Sequence, residues 1–96
     1  MDLKLKDKTA LVTGASVGIG RAIAKALAAE GVRLAVSARR VDKLEELAAE
    51  IVAAGGQAPV LVACDLYEAD ASAKLAAAAV AGLGRVDILV NNAGGS

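Results

Sequence analysis

Apolar residues along the chain switch repeatedly between short continuous runs and helical recurrence, and small or polar residues mark each switch. Residues 9–13 (TALVT) form a short apolar run of the kind buried on both faces of a parallel sheet. A glycine-rich turn follows over 14–20. From 19 to 30 the apolar positions Ile19, Ile23, Ala26 and Leu27 recur at intervals of three and four, and Gly31 sits where a helix stops. Residues 32–38 (VRLAVSA) read as a second strand. Leu44, Leu47, Ala48 and Ile51 repeat the helical spacing, with Asp42, Glu45, Glu46 and Glu50 on the charged side. Asp42 is the expected cap of that helix and Gly55-Gly56 its exit. Pro59 permits only the start of a strand, which places the third at 60–64. Residues 68–83 predict an alanine-rich helix with high propensity and a thin buried face. Residues 86–90 (VDILV) make a fourth strand, closed by the turn Asn91-Asn92-Ala93-Gly94.

The string is β-α-β-α-β-α-β. Such alternation implies right-handed crossovers onto one parallel sheet with helices on both faces, an α/β doubly wound architecture. The expected strand order is 3-2-1-4, with a ligand crevice where the order reverses. The carboxyl ends of strands one and four then lie side by side, and the glycine turn and the Asn-Asn turn line one crevice.

Composition narrows the function classes. At 96 residues, residues 1–96 make one small domain, and 56% hydrophobic with 23% charged residues excludes a disordered segment. Eleven Lys plus Arg balance eleven Asp plus Glu, so there is no electrostatic footprint for nucleic acid or an anionic membrane. Phe, Trp and His are absent and Tyr67 is the only aromatic, which excludes base-stacking platforms and imidazole chemistry. Cys64 is the one cysteine, expected to be a small buried apolar residue, and no metal site is expected. Residues 1–8 lack the apolar stretch of a signal peptide, and the uncharged run 75–84 is about half a membrane span, so a soluble cytoplasmic protein is expected.

The chemistry concentrates in Thr13-Gly14-Ala15-Ser16-Val17-Gly18-Ile19-Gly20, between the first strand and the first helix. A pyrophosphate needs free backbone N–H groups, a helix amino terminus aimed at it and no Cβ in the way. Glycines at 14, 18 and 20 supply a tight turn, a close approach and close helix packing. The spacing is G-x-x-x-G-x-G, which differs from G-x-G-x-x-G, and no Gly-Lys-Ser/Thr follows as in a triphosphatase loop.

TGASVGIG at 13–20, Asp65 at a strand end and NNAG at 91–94 occur in an order and at separations that resemble the short-chain dehydrogenase/reductase family. The similarity is greatest to its 3-oxoacyl-carrier-protein-reductase-like members. The resemblance implies a Rossmann-like fold that binds a nicotinamide dinucleotide. Gly14, Ser16, Val17, Gly18 and Ile19 would wrap the pyrophosphate and adenosine ribose, while Gly20 lets the helix pack close. Asp65 would accept from the adenine amino group and the Leu66 backbone would meet the ring. Asn91, Asn92, Ala93 and Gly94 would flank the cofactor ribose and stabilise the sheet; tying neighbouring strands together is a second, compatible role for Asn91 and Asn92.

Charge indicates which dinucleotide. NAD-binding folds of this kind place an acid at the end of the second strand. Here Ala38 stands there, followed by Arg39 and Arg40, so NADP is favoured over NAD. The family pattern assigns the phosphate to Arg39. The alternative is that Arg39 and Arg40 open the next helix as a solvated pair, with Asp42 close enough to engage one of them. Val17 departs from those NADP-binding members that carry a basic residue before the second glycine.

The family's catalysis uses a Tyr-x-x-x-Lys pair with an upstream Ser and Asn. Tyr67 is followed four residues on by Ala71, so the pair is absent, and Ser72 and Lys74 have nothing to activate. No residue of this chain is expected to be catalytic. Family members are much longer, so the chain is expected to be the cofactor-binding part of an enzyme that interconverts a carbonyl and a secondary alcohol. A 3-oxoacyl thioester or similar ketone is the implied substrate and a homo-oligomer the implied assembly. The other readings are a stand-alone dinucleotide-binding or sensing module and an inactive fragment. Strand four is expected as an unpaired edge exposing Ile88, Leu89 and Val90.

Overall fold

The computed structural model describes residues 4–65 and 68–92. Its elements are β1 (Thr9–Val12), α1 (Gly18–Ala29), β2 (Arg33–Ala38), α2 (Val41–Ala53), β3 (Val60–Ala63), α3 (Ala71–Leu83) and β4 (Ile88–Val90). The strands pair in parallel in the order β3-β2-β1-β4. This is the order expected from the alternating pattern, with its reversal between β1 and β4.

Central β1 is buried along its whole length, and its residues alternate between two cores. Ala10 and Val12 join Val36, Leu44, Leu47 and Ile51 on the face covered by α1 and α2. Leu11 points the other way, onto Ala35, Leu75, Ala79 and Leu83 beneath α3. A strand buried on both faces cannot show polar alternation, which is why β1 reads as an apolar run. Edge strand β3 is different: its exposure alternates, and Leu61 is 36% exposed.

Several expected details change. The buried stripe of α1 is Gly20, Ala24 and Ala28, whereas Ile19 is 71% exposed and Ala26 is also exposed. Small residues win that face because they let the helix lie close to the sheet; Ile23 and Leu27 only flank it. Helix α3 starts at Ala71, not at residue 68. The preceding residues form turns, with Glu68 N–H on the Asp65 carbonyl at 3.0 Å and Asp70 left-handed at φ 62°. Its buried residues, Ala71, Leu75, Ala79 and Leu83, recur every four positions as a narrow stripe. Asp42 does not cap α2: Arg40 holds the cap position, and no side chain caps the helix. On β4 only Leu89 is strongly exposed, at 63%, while Ile88 and Val90 pack against the α1–α2 core. Cys64 is half-buried, with its thiol 3.8 Å from the Ala71 carbonyl. Among the described residues no helix is long and apolar enough to cross a membrane, and no cluster of metal-ligating side chains occurs.

The amino ends of β1 and β4 are tied by a polar pair. The fully buried Thr9 donates its backbone N–H and its hydroxyl to Asp87 Oδ2, at 2.9 and 3.1 Å. Asp87 N–H returns a bond to the Thr9 hydroxyl at 3.0 Å, and Arg85 Nε lies 3.1 Å from the same carboxylate oxygen. The Thr9 backbone bond, helped by the Thr9 hydroxyl and Arg85, holds the Asp87 carboxyl below its ordinary value of 3.8 despite some desolvation. A carboxyl whose pKa is lowered by folding stabilises the protein above the unfolded value and loses that contribution as pH falls through the folded one. Asp87→Asn is therefore expected to lower the thermal midpoint at pH 7, with the gap to wild type narrowing below pH 3.8. Paired melting curves across that range check this; a gap independent of pH would refute it.

Candidate functional site

The glycine turn leaves β1 at its carboxyl end and enters α1. Thr13 N–H bonds the Val90 carbonyl and Ala15 N–H bonds the Ser37 carbonyl, each at 3.0 Å, so the turn is anchored to both neighbouring strands. Gly14 is left-handed at φ 62°, and a Cβ there would collide with the Asn92 carbonyl. A Cβ on Gly20 would overlap the Gly14 carbonyl and lie 2.8 Å from Asn92 Nδ2. These two glycines let three backbone segments meet at closer than side-chain distance.

Gly18 differs. It is left-handed at φ 63°, and an added Cβ would meet nothing within 4 Å. It is the first residue of α1, whose cap residue Val17 offers no side-chain acceptor to the free N–H groups. Val17 and Ile19 are exposed beside it, while Ser16 is buried. An open glycine, uncapped N–H groups and exposed apolar neighbours form a concave edge suited to a phosphate with an apolar flank.

Across the crevice, Thr13 is the hub. Its hydroxyl lies 3.1 Å from Asn91 Oδ1 and accepts Asn92 N–H at 2.9 Å. Asn92 Nδ2 reaches the Gly14 carbonyl at 3.4 Å. Asn91 and Asn92 thus bind the β4 exit to the glycine turn. Leu66, Ala93 and Gly94 lie outside the described residues. Thr13 was not singled out from sequence as a site residue; the signal was there, a hydroxyl at the end of an apolar strand directly before the first glycine.

The cations divide by how they are engaged. Arg40 grips Asp42 with two bonds, Nε to Oδ1 at 3.2 Å and Nη2 to Oδ2 at 2.7 Å. That guanidinium lowers the Asp42 pKa below 3.8. Arg21 contacts Glu50. Arg39, in contrast, makes no hydrogen bond or ion pair among the described residues. It borders two cavities. One, of about 500 Å³, is lined by Cys64, Asp65, Glu68 and Lys74; the other, of about 310 Å³, by Ser16, Val17, Arg40 and Lys43. Arg39 therefore stands between the strand-end Asp65 and the glycine turn.

Residues 8–96 match the family model for short chain dehydrogenase. The chain belongs to the short-chain dehydrogenase family. A fatty acyl-CoA reductase of Acinetobacter baylyi is 46% identical, aligned over 96% of this chain and 31% of its own length. A hydroxysteroid dehydrogenase structure from Escherichia coli superposes with a TM-score of 0.87 at 39% identity, covering 94% of this chain and 37% of the other. A metagenomic short-chain oxidoreductase in complex with NADP superposes with a TM-score of 0.82 at 48% identity, covering 88% and 38%. The chain spans about a third of the length of the curated relatives it matches.

The three motif glycines of this short-chain dehydrogenase chain have separable roles. Gly18→Ala is expected to cost about 1–2 kcal/mol, the price of a Cβ in left-handed backbone. Gly14→Ala adds a collision with the Asn92 backbone and is expected to cost clearly more. Urea unfolding of both variants checks the order. Equal losses would mean that Gly18 is packed against the protein and not open.

Proposed function

We propose that this chain is the NADP-binding part of a short-chain dehydrogenase that interconverts a carbonyl and a secondary alcohol by hydride transfer. The observation that carries the choice of NADP is Arg39: unpaired among the described residues, it follows a β2 that ends on Ala38 instead of an acid. A free guanidinium can hold a 2′-phosphate through paired charged bonds, and no β2 carboxylate repels it. The nearby acid Asp42 is occupied by Arg40, so of the two arginines Arg39 carries the assignment and Arg40 shapes its surroundings.

The dinucleotide, when bound, would supply the hydride for carbonyl reduction and accept it for alcohol oxidation. The chain's own residues bind and orient it. Gly18 and the free N–H groups of α1 receive the pyrophosphate, with Gly14, Ser16, Val17 and Ile19 around it and Gly20 seating the helix. Asp65, with Leu66, receives the adenine edge. Asn91 and Asn92, with Ala93 and Gly94, flank the cofactor ribose from a frame fixed by Thr13. The hydroxysteroid dehydrogenase names among similar proteins support a ketone or its secondary alcohol as the substrate class; a 3-oxoacyl thioester is the member favoured by the sequence resemblance. The same reading makes the intact protein a cytoplasmic homo-oligomer.

Titration of the intact protein with NADPH and NADH tests the assignment. Arg39→Asp is expected to move the affinity ratio toward NADH by about tenfold or more, since a lost charged hydrogen bond is worth roughly 1.5–3 kcal/mol. An unchanged ratio would overturn the role of Arg39.

A further inference from the structure

We infer that Lys43, in the first turn of α2, is a second cation for the 2′-phosphate and sets cofactor preference jointly with Arg39; this rests on the NADP reading above. A phosphate monoester carries about −1.5 to −2 charges near neutral pH, and Arg39 supplies only one opposite charge. The obvious second donor, Arg40, is held in two bonds by Asp42. Arg21 is taken by Glu50.

Lys43 is placed and free enough to serve. It lines the cavity of about 310 Å³ with Ser16, Val17 and Arg39, and a neighbouring one of about 270 Å³ with Gly18. One cation therefore borders both the space beside Arg39 and the space in front of the open glycine. Its partner is Glu46, three residues on, at 3.4 Å and with both side chains substantially exposed. A single long contact at an exposed site is weak. The ammonium rotates on a flexible stem and can exchange one carboxylate for a dianion without moving the helix. Glu46 lines the second cavity too, so it both competes for Lys43 and repels the phosphate.

Fluorescence titration of the intact protein with NADPH and with NADH tests the inference, using Lys43→Gln, Glu46→Gln and Arg39→Asp. Lys43→Gln is expected to raise the NADPH Kd about three- to tenfold and to leave NADH nearly unchanged. Glu46→Gln is expected to lower the NADPH Kd about twofold, again without effect on NADH. Unchanged NADPH binding in Lys43→Gln, or equal loss for both cofactors, overturns the inference, as does a Glu46→Gln variant that binds NADPH no tighter. If Arg39→Asp shifts the NADPH/NADH ratio while Lys43→Gln leaves it at the wild-type value, the function stands and Lys43 falls. A wild type without NADPH preference removes both.

Discussion

The meeting of Gly14, Gly20 and Asn92 is the constraint on which the site depends. At that point the exit of β1, the first turn of α1 and the exit of β4 approach so closely that a Cβ on either glycine would overlap a main-chain carbonyl. Close approach there fixes the height of α1 above the sheet, which in turn requires the small buried stripe Gly20, Ala24 and Ala28. It also turns Gly18 outward. Packing and the proposed binding thus use two sides of one glycine-rich segment, Gly14 and Gly20 facing the protein and Gly18 facing open space.

The β1–β4 seam is fastened at both ends by threonine hydroxyls, each a donor and an acceptor at once. Thr9 engages Asp87 at the amino end, and Thr13 engages Asn91 and Asn92 at the carboxyl end. In a parallel sheet this seam is the point where strand order reverses, and the crevice opens above it. Fastening the seam holds the glycine turn and the Asn-Asn turn at a fixed separation. Beside it the cations follow a gradation, from Arg40 doubly bound to Asp42, through Lys43 loosely held by Glu46, to Arg39 with no partner among the described residues.

Much of this was legible in the sequence because each signal had a single physical cause. The runs at 9–13 and 32–38 are apolar because those strands are covered on both faces, so a parallel sheet followed from the alternation of strands and helices, and the doubly wound pattern gave its order. Boundaries were less legible. The start of α3 was misplaced because Glu68 is a good helix former, while the left-handed Asp70 depends on the turn beyond β3. Ile19 looked like a core residue because helical spacing cannot tell a face packed on the sheet from an edge turned to the crevice. Asp42 has the composition of a cap, yet an arginine two residues earlier took its carboxylate. Which of two adjacent arginines stays free is decided by such pairings, and composition does not contain them. Thr13 stands directly before the first motif glycine, but its importance lies in contacts 77 to 79 residues away along the chain, which no local pattern contains.

That separation has a consequence for how the protein is made. Thr9 and Asp87 are 78 residues apart, and a ribosome adding roughly 5–20 residues per second needs on the order of 4–16 s to cover that distance. For the part of that interval after β2 is made, β1, the most enclosed strand of the sheet, has β2 on one side and an open edge on the other. The nascent chain therefore carries an open apolar strand edge for seconds, far longer than collapse or hairpin formation takes. Of the three strand pairings described, the β1–β4 seam is the last to close.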